Sequence, residues 1–63
     1  MNGSLRLIRM RELRSVVGIG PSQIYVLMSK QKFPRPVQIS VNAVGWRSDE
    51  IQEWVEARER VKY

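Results

Sequence analysis

Residues 18–24 read Gly18-Ile19-Gly20-Pro21-Ser22-Gln23-Ile24, and the reading of the whole chain turns on them. Glycine tolerates the left-handed conformation that commonly follows a helix end, so Gly18 predicts a stop for a preceding helix. Pro21 suits the first position of a new helix, where its missing N–H has no intrahelical acceptor to lose. A stop and a start separated by about three residues predict a helix-turn-helix connection.

Upstream of this turn, Leu5-Arg6-Leu7-Ile8 alternates as a short strand would, and Arg11 to Val17 carries Leu13, Val16 and Val17 at helical spacing. Downstream, Ile24, Leu27, Met28 and Gln31 fall on one helical stripe, with Ser22, Val26, Ser29 and Lys30 on the other side. Phe33-Pro34-Arg35-Pro36 ends that helix, because residues before proline are pushed to extended conformations. Val37, Ile39 and Val41 then alternate with Gln38 and Ser40, and Val44 and Trp46 flank Gly45, which predicts a β-hairpin turning near Asn42. Ser48 is the expected N-cap of a third helix. Asp49 and Glu50 suit its positive start, and Ile51, Trp54, Val55, Arg58 and Val61 recur at helical intervals along it. The expected fold class is a small α+β winged helix-turn-helix, with three helices and a β-hairpin wing. Residues 1–4 are expected to form a flexible N-terminal arm, and residues 5–63 a single domain.

The 63 residues include no Cys and no His, which removes disulfides, thiolate and imidazole metal sites and thiol nucleophiles from consideration. The acids are Glu12 and five on the predicted third helix, Asp49, Glu50, Glu53, Glu56 and Glu59, where they read as a solvated face. No Gly-rich phosphate loop accompanies them. The chain is therefore expected not to be an enzyme and to use no catalytic residue, metal, cofactor or small-molecule substrate. No apolar run approaches the roughly 20 residues that span a bilayer, and the start lacks a signal-like hydrophobic stretch. The expectation is a cytoplasmic, nucleoid-associated protein with no membrane partner.

The net charge of +5 is unevenly placed. Residues 1–47 hold eight Lys and Arg against the single acid Glu12, whereas residues 48–63 hold three basic and five acidic side chains. A basic body with a charge-mixed tail points one surface at a polyanion. The major groove of DNA admits one α-helix, and a neighbouring hairpin can reach flanking phosphates, so helix and wing order makes double-stranded DNA the expected partner.

On the recognition helix the candidate contacts are Ser22, Gln23, Tyr25, Val26, Ser29 and Lys30. Gln23 can pair an adenine edge and Val26 can touch a thymine methyl. Tyr25 fits two roles, a hydroxyl on a phosphate or a ring in the core. Candidate wing and phosphate contacts are Arg11, Arg14, Lys32, Arg35, Gln38, Asn42 and Arg47. Phe33, Trp46 and Trp54 sit on apolar-periodic faces and are assigned to the core in preference to base stacking.

These residues also resemble a family, the AlpA-like phage regulators, related in fold to MerR-like and excisionase winged helices. The resemblance rests on Leu7-Ile8-Arg9, Gly18-Ile19, Ser22-Gln23-Ile24-Tyr25, Phe33-Pro34-Arg35-Pro36-Val37 and Val44-Gly45-Trp46, and runs from Leu5 to about Glu59. It implies a prophage or genomic-island regulator of transcription, often of an integrase gene. The alternatives are an excisionase that binds and bends attachment-site DNA, and an interaction module docking on a recombinase. An integrase or recombinase and self-association on DNA are the further partners the resemblance allows. Gly20, Pro21 and Val26 stand where relatives usually carry Ser, a basic residue and Arg, which moves the expected source of specificity toward the wing and DNA shape.

Overall fold

The computed structural model describes residues 5–62, so the expected N-terminal arm lies outside the described residues. The element order is β1 (Leu7–Ile8), α1 (Met10–Val17), α2 (Pro21–Ser29), β2 (Val37–Ser40), β3 (Ala43–Arg47) and α3 (Ser48–Glu56). Three helices and a three-stranded antiparallel sheet make a small α+β fold of winged-helix form.

Each element contributes to one small core. Ile8, Leu13, Ile24, Trp46 and Ile51 are buried from β1, α1, α2, β3 and α3, and Phe33 joins them from the segment after α2. Burying a side chain of this size stabilises by about 1.5–3 kcal/mol. Met10, Leu13 and Val17 form the inward stripe of α1, and Ile24, Leu27 and Met28 that of α2. Val16, read as part of the α1 stripe, instead points outward at 48% exposure. Val17 takes the inward place because it stands four residues after Leu13, on the same side of the helix.

α1 stops where the glycine predicts, with Gly18 at φ 77° and its N–H on the Arg14 carbonyl at 2.8 Å. α2 begins with Pro21 at its start and ends differently. Gln31 adopts φ 59°, its N–H bonds Met28 O at 2.9 Å, and Lys32 N–H bonds Leu27 O at 2.8 Å. This is the two-bond Schellman closure, built on a residue that is not glycine. Gln31 therefore lies beyond the helix and is exposed, not the last member of the packed stripe.

The sheet order is β1-β3-β2, with Ile8 opposite Trp46 and Val37 opposite Gly45. A register shift between Gln38 and Ser40 precedes the turn at Val41-Asn42. Gly45 is needed for close approach: a Cβ there would come within 2.9 Å of Ile39 Cδ1 and 3.2 Å of the Ile8 carbonyl.

Two sequence expectations about α3 are corrected. Arg47, extended at φ −67°, ψ 129°, occupies the cap position, and Ser48 is already helical. β3 runs straight into the helix, and the Ser48 hydroxyl accepts the Arg6 N–H at 2.8 Å while Ser48 N–H bonds the Arg6 carbonyl at 2.8 Å. The serine thus ties the start of the chain's first strand to the last helix. The helix also ends at Glu56, short of Arg58 and Val61. Arg58 turns back, its guanidinium 4.4 Å from the Trp54 ring centre and its Nε on the Trp54 carbonyl at 3.1 Å. It satisfies a terminal carbonyl from outside the helix.

Candidate nucleic-acid interface

The two tryptophans hold the segment that follows α2. Trp46 Nε1 donates to the Pro34 carbonyl at 2.9 Å, and Trp54 Nε1 donates to the Lys32 carbonyl at 2.8 Å. Phe33 lies between these two bonds, its ring edge-on to Trp54 with centres 4.8 Å apart and planes at 65°. The Phe-Pro-Arg-Pro block is therefore a clamped connection, and its aromatics are spent on packing.

The surface around α1 is open and cationic. One groove, of about 560 Å³, is lined by Arg11, Arg14, Ser15 and the Gly18-Ile19-Gly20 turn. A second, of about 360 Å³, lies between α1, α2 and the hairpin and is lined by Arg9, Met10, Arg11, Tyr25, Asn42, Val44 and Trp46. Arg11 belongs to both. Among the described residues Arg9, Arg11 and Arg14 enter no ion pair.

Of the other arginines in residues 1–47, Arg6 and Arg47 are ion-paired, and Arg35 enters no ion pair among the described residues. Both terminal nitrogens of Arg6 meet the Glu12 carboxylate, and Arg47 holds Asp49 through Nε at 3.1 Å and Nη2 at 3.0 Å. The guanidinium hydrogen bonds hold both carboxyls below the usual carboxylate range and raise both arginines further. Glu12, the lone acid of residues 1–47, is thereby paired with Arg6.

The predicted site residues divide accordingly. Arg11, Arg14, Tyr25 and Asn42 come together around the two grooves, and Tyr25 is 57% exposed, so its ring is not in the core. Ser22, Gln23, Val26, Ser29 and Lys30 are exposed on α2 and its end. Ser29 donates its hydroxyl proton to the Val26 carbonyl at 2.7 Å, a local bond common for helical serines. Gln38 donates to Ser40 O at 2.8 Å and Val41 O at 3.3 Å, closing the hairpin turn. Arg35 lines a third groove with Glu50, Glu53 and Trp54 that shares no residue with the other two, and Lys32 is exposed beside the clamped connection. Arg47 is the ion-paired member of the set.

Arg9 and Val44 are groove residues that sequence reasoning missed. The signal available was the density of arginines at 6, 9, 11 and 14. Among the described residues, no group of His, Cys, Asp or Glu could hold a metal ion, and no helix is long and apolar enough to cross a membrane.

Comparison with known proteins shows the family to which the chain belongs. Residues 6–59 match the family described as prophage CP4-57 regulatory protein (AlpA). The chain is 32% identical over 53 residues to the uncharacterized protein ORF88 of Enterobacteria phage P4, an alignment covering 84% of this chain and 60% of that protein. It thus spans less than two thirds of that relative's length. No solved structure gives a significant match.

Proposed function

We propose that this chain, which belongs to the prophage CP4-57 regulatory protein (AlpA) family, binds double-stranded DNA and regulates transcription. The observation that carries the reading is the pair of adjoining grooves with three unneutralised arginines, placed beside the exposed face of α2 and the hairpin turn. Cations in this arrangement position a protein on the phosphate backbone, while α2 offers Gln23 and Val26 to base edges. The experiment is fluorescence anisotropy of duplexes selected from a random library, repeated over a salt series. The expected result is binding whose logarithm falls linearly with the logarithm of salt, with selected duplexes preferred over random ones. Absence of duplex binding at low salt would sink the proposal.

A second reading, an excision factor that bends attachment-site DNA, is favoured by one feature of α2. Its outward residues Ser22, Gln23, Val26 and Ser29 include no cation, so guanine contacts by arginine are missing from that stretch. Specificity then rests more on DNA deformability. Gel mobility of circularly permuted fragments separates the two: position-dependent mobility supports bending, and uniform mobility leaves the regulator reading alone.

A further inference from the structure

The two cationic grooves adjoin through a shared residue, and their linings are chemically one-sided. Arg9, Arg11, Arg14, Ser15, Tyr25 and Asn42 all present donors, and neither groove is lined by an Asp or Glu. The third groove, by contrast, carries Glu50 and Glu53. Three cationic side chains and further donors, with no carboxylate among them, suit a phosphodiester. Access is also open: a Cβ at Gly18 or Gly20 would meet nothing within 4 Å. We propose that one DNA strand crosses α1, one phosphate seated against Arg9, Arg11, Tyr25 and Asn42 and a neighbouring phosphate against Arg11, Arg14 and the Gly18–Gly20 turn. This path rests on the duplex-binding reading above and makes Arg11, not a hairpin arginine, the residue that serves two phosphates.

Gly20 supplies an unusual probe. At φ −82° it needs no glycine, and it is the cap residue of α2. Asp is a preferred N-cap, so Gly20→Asp is expected to hold or raise the thermal midpoint while placing a carboxylate where the phosphate would sit. A residue acting only through the fold cannot lose binding while gaining stability. The test is anisotropy of the full chain on a short mixed-sequence duplex over a salt series, with circular dichroism melts of each variant. Arg11→Ala should weaken binding on the order of tenfold and flatten the salt slope by about 1, with Arg9→Ala and Arg14→Ala each giving a smaller change. Gly20→Asp should weaken binding on the order of tenfold with its melt unchanged or higher. Arg60→Ala, which removes the same charge from the exposed tail, should leave the slope unchanged.

Three outcomes overturn the path while the wild-type chain still binds duplex. They are a loss with Arg60→Ala equal to that with Arg11→Ala, a larger slope change with Arg35→Ala or Arg47→Ala than with Arg11→Ala, and undiminished binding by a folded Gly20→Asp. Failure of the wild-type chain to bind any duplex overturns the underlying reading and the path with it.

Discussion

The connection after α1 and the connection after α2 solve the same backbone problem with opposite surroundings. Both place a residue at positive φ, Gly18 at 77° and Gln31 at 59°. Around Gly18 and Gly20 there is open space, bordered by arginines. After Gln31, the Lys32 and Pro34 carbonyls are each held by an indole, with Phe33 buried between them. The clamped connection supplies packing, and the open one leaves a surface whose charges are unspent. Stability and the proposed DNA contact thus lean on different turns, and they meet at Trp46, which also walls the groove of Arg9, Tyr25 and Asn42.

The largest expected effect is on the clamped side. Trp46 is 2% exposed, and truncating a buried tryptophan to alanine costs about 3–5 kcal/mol. A domain of this size rarely has more than roughly 3–5 kcal/mol in total, so Trp46→Ala is expected to be unfolded at room temperature by circular dichroism. Trp46→Phe keeps most of the apolar volume but leaves the Pro34 carbonyl without its indole donor, and should cost about 1–3 kcal/mol in urea melts. If Trp46→Phe melts like the wild type, the clamp is packing alone and the contrast between the two connections weakens.

The next effect tests the open turn. Gly18→Ala crowds nothing, since no atom lies within 4 Å of its Cβ position, yet it forces an L-residue to φ 77°. The expected cost is about 1–2 kcal/mol, carried by the backbone alone. A melt unchanged by this substitution would mean that the turn relaxes freely.

The converse change should be favourable. Gln31 holds a left-handed conformation that glycine adopts without penalty, so Gln31→Gly is expected to stabilise by roughly 0.5–1 kcal/mol. Two Schellman hydrogen bonds and the neighbouring indole clamp maintain the conformation in the native chain. Destabilisation by Gln31→Gly would show that the glutamine side chain contributes something its exposure does not suggest.

These two turns also show what the sequence made legible. Gly18 and Pro21 announce the helix-turn-helix because they act through their own backbone, and Leu13, Ile24 and Ile51 announce the core through helical spacing. What escaped reading depends on contacts distant in the chain. Ser48 looks like a cap until Arg6, 42 residues away, takes its hydroxyl. Arg58 continues the helical spacing of α3 until stacking on Trp54 draws it off the helix. For the candidate site, the arginines were visible, but which of them acids neutralise was not. Arg47 is spent on Asp49 and Arg6 on Glu12, whereas Arg9 gains its place through the approach of the hairpin at Asn42.

The smallest effect belongs to those two ion pairs, one of which lies on α1 itself. Glu12 and Asp49 have carboxyls held below their ordinary values, chiefly by hydrogen bonds from Arg6 and Arg47. A group lowered on folding contributes stability that is complete above its unfolded value and is lost as pH falls through its folded value. Arg6 and Arg47, raised on folding, stay charged throughout that window. The thermal midpoint should therefore be flat from neutral pH down to about 5 and decline below it. Both pairs are solvent-exposed, so the decline is shallow. The double variant Glu12→Gln, Asp49→Asn should show a still shallower one. Equal acid slopes for the two proteins would move the loss to other carboxylates. A steeper slope in the variant would contradict the sign itself. Acid also frees Arg6 from Glu12 of α1, while the indole clamp, which holds no titrating group, is untouched.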